Sequence, residues 1–172
     1  MAEFKYHKTP VSSGVFIASN AECPVCLKRT TYSYVGPFYA YSEVDGICPD
    51  CINSGLAAQK YSAEFVDELY LSEDIGIEKK IELTTKTPGV FFPQEEVWPD
   101  HCDDFCQFNK YLNSIDIDYL INNRAEIERL CFFLELSIED FISELNREYS
   151  PLKCLEFQCL NCGKIMLVAN YE

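Results

Sequence analysis

Six of the ten cysteines fall into three C-x-x-C pairs: Cys23/Cys26, Cys48/Cys51 and Cys159/Cys162. Two thiolates at that spacing reach one tetrahedral ion, because the backbone between them turns as a knuckle. A zinc ion held by four sulfurs needs two such pairs. Cys26 and Cys48 are separated by 21 residues, close to the spacing of a zinc finger. Cys23, Cys26, Cys48 and Cys51 are therefore expected to hold one Zn2+. A disulfide framework would require an oxidising compartment. A thioredoxin-like redox site would present a single pair opening a helix inside an α/β pattern. The N-terminus, Met-Ala-Glu-Phe-Lys-Tyr-His-Lys, has no apolar signal core, so a cytoplasmic protein is expected.

The third pair is half a site. Leu155-Glu156-Phe157 precedes it and Ile165-Met166-Leu167-Val168-Ala169 follows, so it reads as the knuckle of a zinc-ribbon hairpin. Cys102 and Cys106 are the expected partners for Cys159 and Cys162. Their i, i+4 spacing puts both sulfurs on one face if residues 99–112 are helical. His101 stands beside Cys102 and is the alternative to one of these cysteines; Cys154 is a competing ligand. Cys131, set in Leu130-Cys131-Phe132-Phe133-Leu134, reads as a buried small hydrophobe. Both proposed zinc sites are sulfur-rich and closed, whereas catalytic zinc keeps an open position. The chain holds two histidines, and the zinc-deaminase, H-E-x-x-H, G-x-S-x-G and P-loop signatures are absent. The metal is expected to hold the fold, and the protein is not expected to be an enzyme.

The elements that must position these ligands follow from local pattern. Cys23-Pro24-Val25-Cys26 is a tight knuckle, and residues 31–44, aromatic and β-branched around Gly36-Pro37, predict a hairpin. Cys48-Pro49-Asp50-Cys51 opens a predicted helix running to Lys60, with Pro49 at a position a helix start tolerates. Knuckle, hairpin and helix together form a treble-clef arrangement. Residues 61–71 predict an amphipathic helix turned inward through Phe65, Val66 and Leu69, and residues 79–87 a strand with Ile81, Leu83 and Thr85 on one side. Helical periodicity returns over residues 115–136. Ser137 then caps a helix with Asp140 at its N3 position, ended by Ser150-Pro151. The expected class is α+β: a single domain over 1–172, with a treble-clef-like finger in 1–61, a mainly helical part in 62–150 and a C-terminal zinc-ribbon hairpin in 151–172. His7 and Trp98 are expected to pack rather than to act.

The 172 residues carry a net charge of −14. Residues 1–86 contribute −4 and residues 87–172 contribute −10. Nucleic-acid affinity rests on Lys and Arg neutralising phosphates, so direct nucleic-acid binding is not expected. The apolar runs are far shorter than the roughly 20 residues of a membrane helix, so no membrane role is expected either. Basic partners would be steered towards the acidic second half. Candidate contacts are Glu95, Glu96, Asp100, Asp103, Asp104, Asp116 and Asp118.

Several motifs read together resemble the CbrC family of bacterial proteins, named for colicin tolerance. They are Phe4-x-Tyr6-His7-x-x-Pro10, Tyr34-x-Gly36-Pro37-x-Tyr39, Cys48-Pro49-x-Cys51-Ile52-x-x-Gly55-x-Ala57-Ala58-x-Lys60, Thr87-Pro88-Gly89, Trp98-x-x-His101-Cys102-x-Asp104-x-Cys106 and Phe157-x-Cys159-x-x-Cys162-Gly163. The chain departs from that pattern at Asp50 and in the stretch before Trp98. The resemblance implies a bacterial cytoplasmic protein linked to tolerance of protein toxins. With the acidic surface, it leads to the expectation of a zinc-stabilised immunity protein that neutralises a basic, nuclease-type toxin. The alternatives are a regulatory zinc-ribbon protein acting through transcription or stress machinery, and a zinc or thiol redox sensor.

Overall fold

The computed structural model describes residues 2–92, 94 and 96–171. Over these residues the chain combines two small antiparallel sheets with six α-helices. Strands β1 (Phe16–Ala18) and β2 (Tyr32–Tyr34) pair with Phe16 opposite Tyr34, so the first cysteine knuckle sits at the tip of the hairpin they form. The predicted hairpin within residues 31–44 is therefore not the one observed: β2 pairs backwards with β1. The chain after β2 instead folds onto the Tyr34 ring, whose hydroxyl donates to Pro37 O at 2.7 Å. A side chain at Gly36 would collide with that ring, at 2.7 Å from the hydroxyl oxygen.

Helix α1 (Pro49–Asn53) starts after Cys48 as N-cap with Pro49 at its first position, as the sequence suggests. Gly55, at φ 75°, breaks the predicted single helix, and α2 (Leu56–Tyr61) follows it. Residues 61–71 do not continue as an α-helix. Ser62 turns left-handed, Phe65 and Val66 bury in an irregular segment, and only a short 3-10 turn, Glu68–Tyr70, remains, with Leu69 exposed. The predicted strand at 79–87 is a helix, α3 (Ile77–Lys86). Its Leu83 and Thr84 face inward while Ile81 is exposed, and Lys86 pairs with Glu82 one turn back. Ile81-x-Leu83-x-Thr85 alternates like a strand, but the Glu- and Lys-rich run around it favours helix.

The larger sheet has the order β3 (Gln107–Tyr111), β4 (Leu152–Gln158), β5 (Ile165–Tyr171). β4 is central and covered on both faces. Successive side chains alternate between faces. Leu155 and Phe157, with Met166 and Val168 of β5, therefore meet Trp98, Phe105 and Phe108 on one side. Leu152, Cys154 and Leu167 meet Ile127, Leu130 and Phe141 on the other. These last three come from α5 (Arg124–Leu134) and α6 (Ile138–Leu145), preceded by the short α4 (Ile117–Asn122). Ser137 caps α6 by accepting from Asp140 N at 3.0 Å. The outer edge of β5 is closed by α5: Leu167 N donates to Glu126, and Arg129 donates to Leu167 O. A third group of buried residues, including Phe4, Phe16, Tyr34, Ile52 and Phe65, surrounds the first cysteine pairs.

Candidate functional site

The first candidate is built from the β1–β2 hairpin tip and the start of α1. Leu27 N bonds back to Cys23 O and Cys23 N to Lys28 O, closing the knuckle. Leu27, at φ 59°, makes the turn. Cys48 and Cys51 lie at the N-cap and in the first turn of α1. The Cys26 and Cys48 sulfurs stand 3.9 Å apart, and all four sulfurs of Cys23, Cys26, Cys48 and Cys51 lie within 4.8 Å of one another. Four sulfurs at about 2.3 Å from a common centre would be about 3.8 Å apart, so the donor set fits a tetrahedral ion. Cys23, Cys48 and Cys51 are buried.

The second group is gathered from distant parts of the chain: His101, Cys102, Cys159 and Cys162. Residues 99–112 are not helical. Asp100 bridges to Phe105, His101 N bonds Asp104 O, and Cys102 and Asp103 both take left-handed backbone, at φ 55° and 58°. This tight loop turns Cys102 outward and presents the His101 ring beside it. His101 Nδ1 lies 3.1 Å from Cys102 Sγ and 3.4 Å from Cys162 Sγ. The third C-x-x-C pair supplies the other half from the β4–β5 turn. There Gly163 N bonds Cys159 O, and Gly163 sits at φ 75°. Asn161 Nδ2 donates to Cys102 O at 3.0 Å and ties the two halves together. Lys79 of α3 holds the loop through the carbonyl and carboxylate of Asp103.

Cys106, expected as a ligand, is not in this group. With no helix the i, i+4 relation to Cys102 does not exist, and Cys106 lies fully buried where Trp98 Nε1 donates to its carbonyl at 2.8 Å. Burial, with the nearby sulfur of Cys159, pushes its thiol up to about 12. His101 occupies the fourth position. The sequence signal for it was the adjacency of two donor types, His101-Cys102, directly before a turn. Cys131 and Cys154 are buried between the larger sheet and the helices.

Within each group one thiol is pushed down and others up. At Cys23, burial pushes upward, but N–H groups of Cys26, Cys48 and Val25 bring it to about 7, while burial holds Cys48 at about 11. At Cys159, the N–H groups of Cys162 and Asn161 outweigh burial and bring the thiol to about 6, whereas donating a hydrogen bond to the Cys162 sulfur raises Cys102 to about 11. The sulfurs are close enough to share protons, and metal binding replaces such protons.

The acidic positions divide. Asp104 is buried, bonded to Tyr6 Oη at 2.7 Å and paired with Lys5 at 2.9 Å. Burial pushes its carboxyl up, but Tyr6 and Lys5 hold it below the usual range. Glu96 is buried too and accepts from Tyr39 Oη and Asp67 N, both at 2.9 Å. Burial raises it to about 7. Both are internal struts rather than surface contacts. Asp103 is exposed and pairs with Lys79. Asp116 caps α4, and Asp100 and Asp118 are exposed. Glu95 lies outside the described residues. His7 packs, as expected, with Nδ1 2.8 Å from Pro88 O and its ring against Phe108, and Trp98 is buried. Among the described residues, no helix is long and apolar enough to cross a membrane.

Comparison with known proteins places the chain in a family. Residues 1–171 match the model of an uncharacterised protein family, UPF0167. The chain is 32% identical to the UPF0167 protein Mb2317 of Mycobacterium bovis, over 99% of this chain and 94% of that protein. It is 38% identical to the UPF0167 protein PA1536 of Pseudomonas aeruginosa, over 95% of this chain and 93% of that protein. No solved structure matches the chain at a significant level. The chain belongs to the UPF0167 family. The resemblance to the CbrC family is thereby corrected: the matching family model and the curated relatives carry the UPF0167 name.

Proposed function

We propose that this UPF0167 member is a cytoplasmic, non-enzymatic binding protein, folded as one domain over 1–172 around two structural zinc ions, whose partner is a basic protein. The observation that carries the metal reading is the pair of four-donor groups, Cys23/Cys26/Cys48/Cys51 and His101/Cys102/Cys159/Cys162. Thiolate and imidazole donors in tetrahedral sets of four favour zinc, and a full protein donor set leaves no open position for a substrate. The hairpin-borne knuckle with α1 reads as a treble-clef-like finger, and the β4–β5 turn as half of a zinc ribbon. The net charge of −14 supports the basic partner through complementary potential. A nuclease-type toxin is one partner of that charge.

Elemental analysis of the purified chain is expected to find two zinc ions per chain; one would remove the second site. Affinity capture from the producing organism, followed by rebinding of the purified partner, tests the rest. A basic partner whose affinity falls with salt supports the proposal, and an acidic or salt-insensitive partner overturns it.

The exposure of Cys102 and Cys162 favours a second reading, a thiol sensor. In it, hydrogen peroxide takes two electrons from two thiolates of the second group. A disulfide forms, the peroxide leaves as two hydroxide ions, and zinc is released. Release of one zinc ion, reversed by a thiol reductant, would support this reading.

A further inference from the structure

Outside the two donor groups, a large open groove of about 830 Å³ lies between the segment after β2 and helices α2 and α3. Its walls are aromatic: Phe38, Tyr39 and Tyr41. Two of these rings are already held. Phe38 is tilted against Phe65 at 4.7 Å and edge-on to Tyr61. Tyr39 is fixed by its hydroxyl bond to the buried Glu96. Tyr41 stands fully exposed. Small residues, Gly55, Ala58 and Ala63, also line the groove.

Glu64 is the one charged residue lining the groove. Among the described residues no Lys or Arg forms an ion pair with it. Burial, reinforced by the Glu68 and Asp67 carboxylates, pushes its carboxyl above the usual range against one hydrogen bond from the Glu68 N–H. The neighbouring cations are committed elsewhere: Lys60 donates to Pro24 O at 2.6 Å, and Lys86 pairs with Glu82. An aromatic wall beside an unneutralised carboxylate is the chemistry that recognises an organic cation. The ring faces attract its positive charge, the carboxylate accepts its hydrogen bonds, and an arginine serves both because it is planar and many-donored.

The geometry points to this groove as the docking site for an arginine-bearing segment of the basic protein partner, with the guanidinium between Tyr41 and Tyr39 and paired with Glu64. This deepens the reading of a basic partner and rests on it. It also places the contact in the less acidic half of the chain, residues 1–86.

The test uses the metal-loaded full chain and a fluorescein-labelled peptide with arginines separated by Gly-Ser, alongside a twin with glutamine for arginine. Both are titrated by fluorescence anisotropy at about 0.05 M salt. The arginine peptide is expected to bind and the glutamine twin not to. Tyr41→Ala and Glu64→Gln should each weaken binding at least ~10-fold, about 1.4 kcal/mol, while Tyr41→Phe, which keeps the ring, should bind like the unsubstituted chain. The double change Asp116→Asn/Asp118→Asn should alter affinity less than ~2-fold, since exposed charges outside the contact act weakly through solvent. Melting curves of the groove variants matching the unsubstituted chain would show that lost binding is local. If the arginine peptide binds but only the Asp116/Asp118 change weakens it, the groove assignment falls and the basic-partner reading stands. If the arginine peptide does not bind, the groove assignment falls, and the partner reading is judged by the capture experiment.

Discussion

The two candidate metal centres use similar donors but are assembled in opposite ways. The first draws its four cysteines from residues 23–51, buries three of them and packs them inside their own apolar cluster. The second joins a loop at 101–102 to a turn at 159–162, replaces one sulfur by an imidazole, and leaves Cys102 and Cys162 exposed. Only Cys159 of the second set belongs to a core cluster. The difference is what a bound metal would add in each place. Around the first, the helices are short and the sheet has two three-residue strands, so apart from one apolar cluster the donors themselves would be the main tie across the segment. Around the second, β4 already has partners on both edges and cores on both faces, and an ion would fasten a loop to a framework that packing supports.

The largest effect that could break this contrast is at the first centre. Cys51→Ser is expected to lose one zinc ion and to destabilise residues 1–61 by more than about 5 kcal/mol, because binding and folding there are one process. Hydrogen exchange would show loss of protection in α1 and α2 with β4 and β5 intact; equal loss in both regions would erase the contrast. Cys102→Ser should also lose one zinc ion but cost only about 3 kcal/mol, read as a smaller drop in Tm. Cys106→Ser should keep both ions, which separates the buried cysteine from the ligands.

The buried carboxylate of Glu96 sharpens the comparison, because it belongs to neither donor group. Glu96 has its folded pKa raised to about 7 from an ordinary value of 4.5, so the folded state binds its proton more tightly. Its contribution is fully present below about pH 4.5 and is lost as pH rises through about 7, up to about 3 kcal/mol. Glu96→Gln, which stays neutral and can still accept from Tyr39 and Asp67 N, should flatten that slope in chemical denaturation between those pH values with zinc content unchanged. The smallest effect belongs to α6, which supplies no donor to either group. Ser137→Ala removes the α6 cap and should cost about 1 kcal/mol, with both metals retained.

What was legible in the sequence follows the range of the interactions. The Cys48-Pro49 helix start, the Ser137 cap and the β4–β5 knuckle with Gly163 are local, and residue type announces each of them. The donors of the first centre are legible for the same reason, being two knuckles close in the chain. The fourth donor of the second centre was not. Its choice between His101 and Cys106 depends on left-handed backbone at Cys102 and Asp103, neither a glycine, held by Lys79 and Asn161 from elsewhere in the fold. The strand expected at residues 79–87 failed because a three-residue alternation, Ile81-x-Leu83-x-Thr85, outweighed helix propensity in the reading but not in the molecule. Glu96 and Asp104 looked like surface acids because composition does not show which carboxylates Tyr39 and Tyr6 draw inside.

The central position of β4 also fixes an order of events during synthesis. The first centre needs 29 consecutive residues, from Cys23 to Cys51, so its ligand set is complete early as the chain emerges. Trp98, Phe108 and the helices α5 and α6 must wait, because the strand they pack on begins at Leu152, after all of them. Until that strand emerges, the aromatic middle of the chain has only part of its native surface, the earlier residues Tyr6, Val66 and Leu83, to bury against. The acidic charge of residues 87–172 then acts on the nascent chain itself: like-charged segments repel, and the unfinished middle is held apart from its own copies on neighbouring ribosomes until β4 arrives.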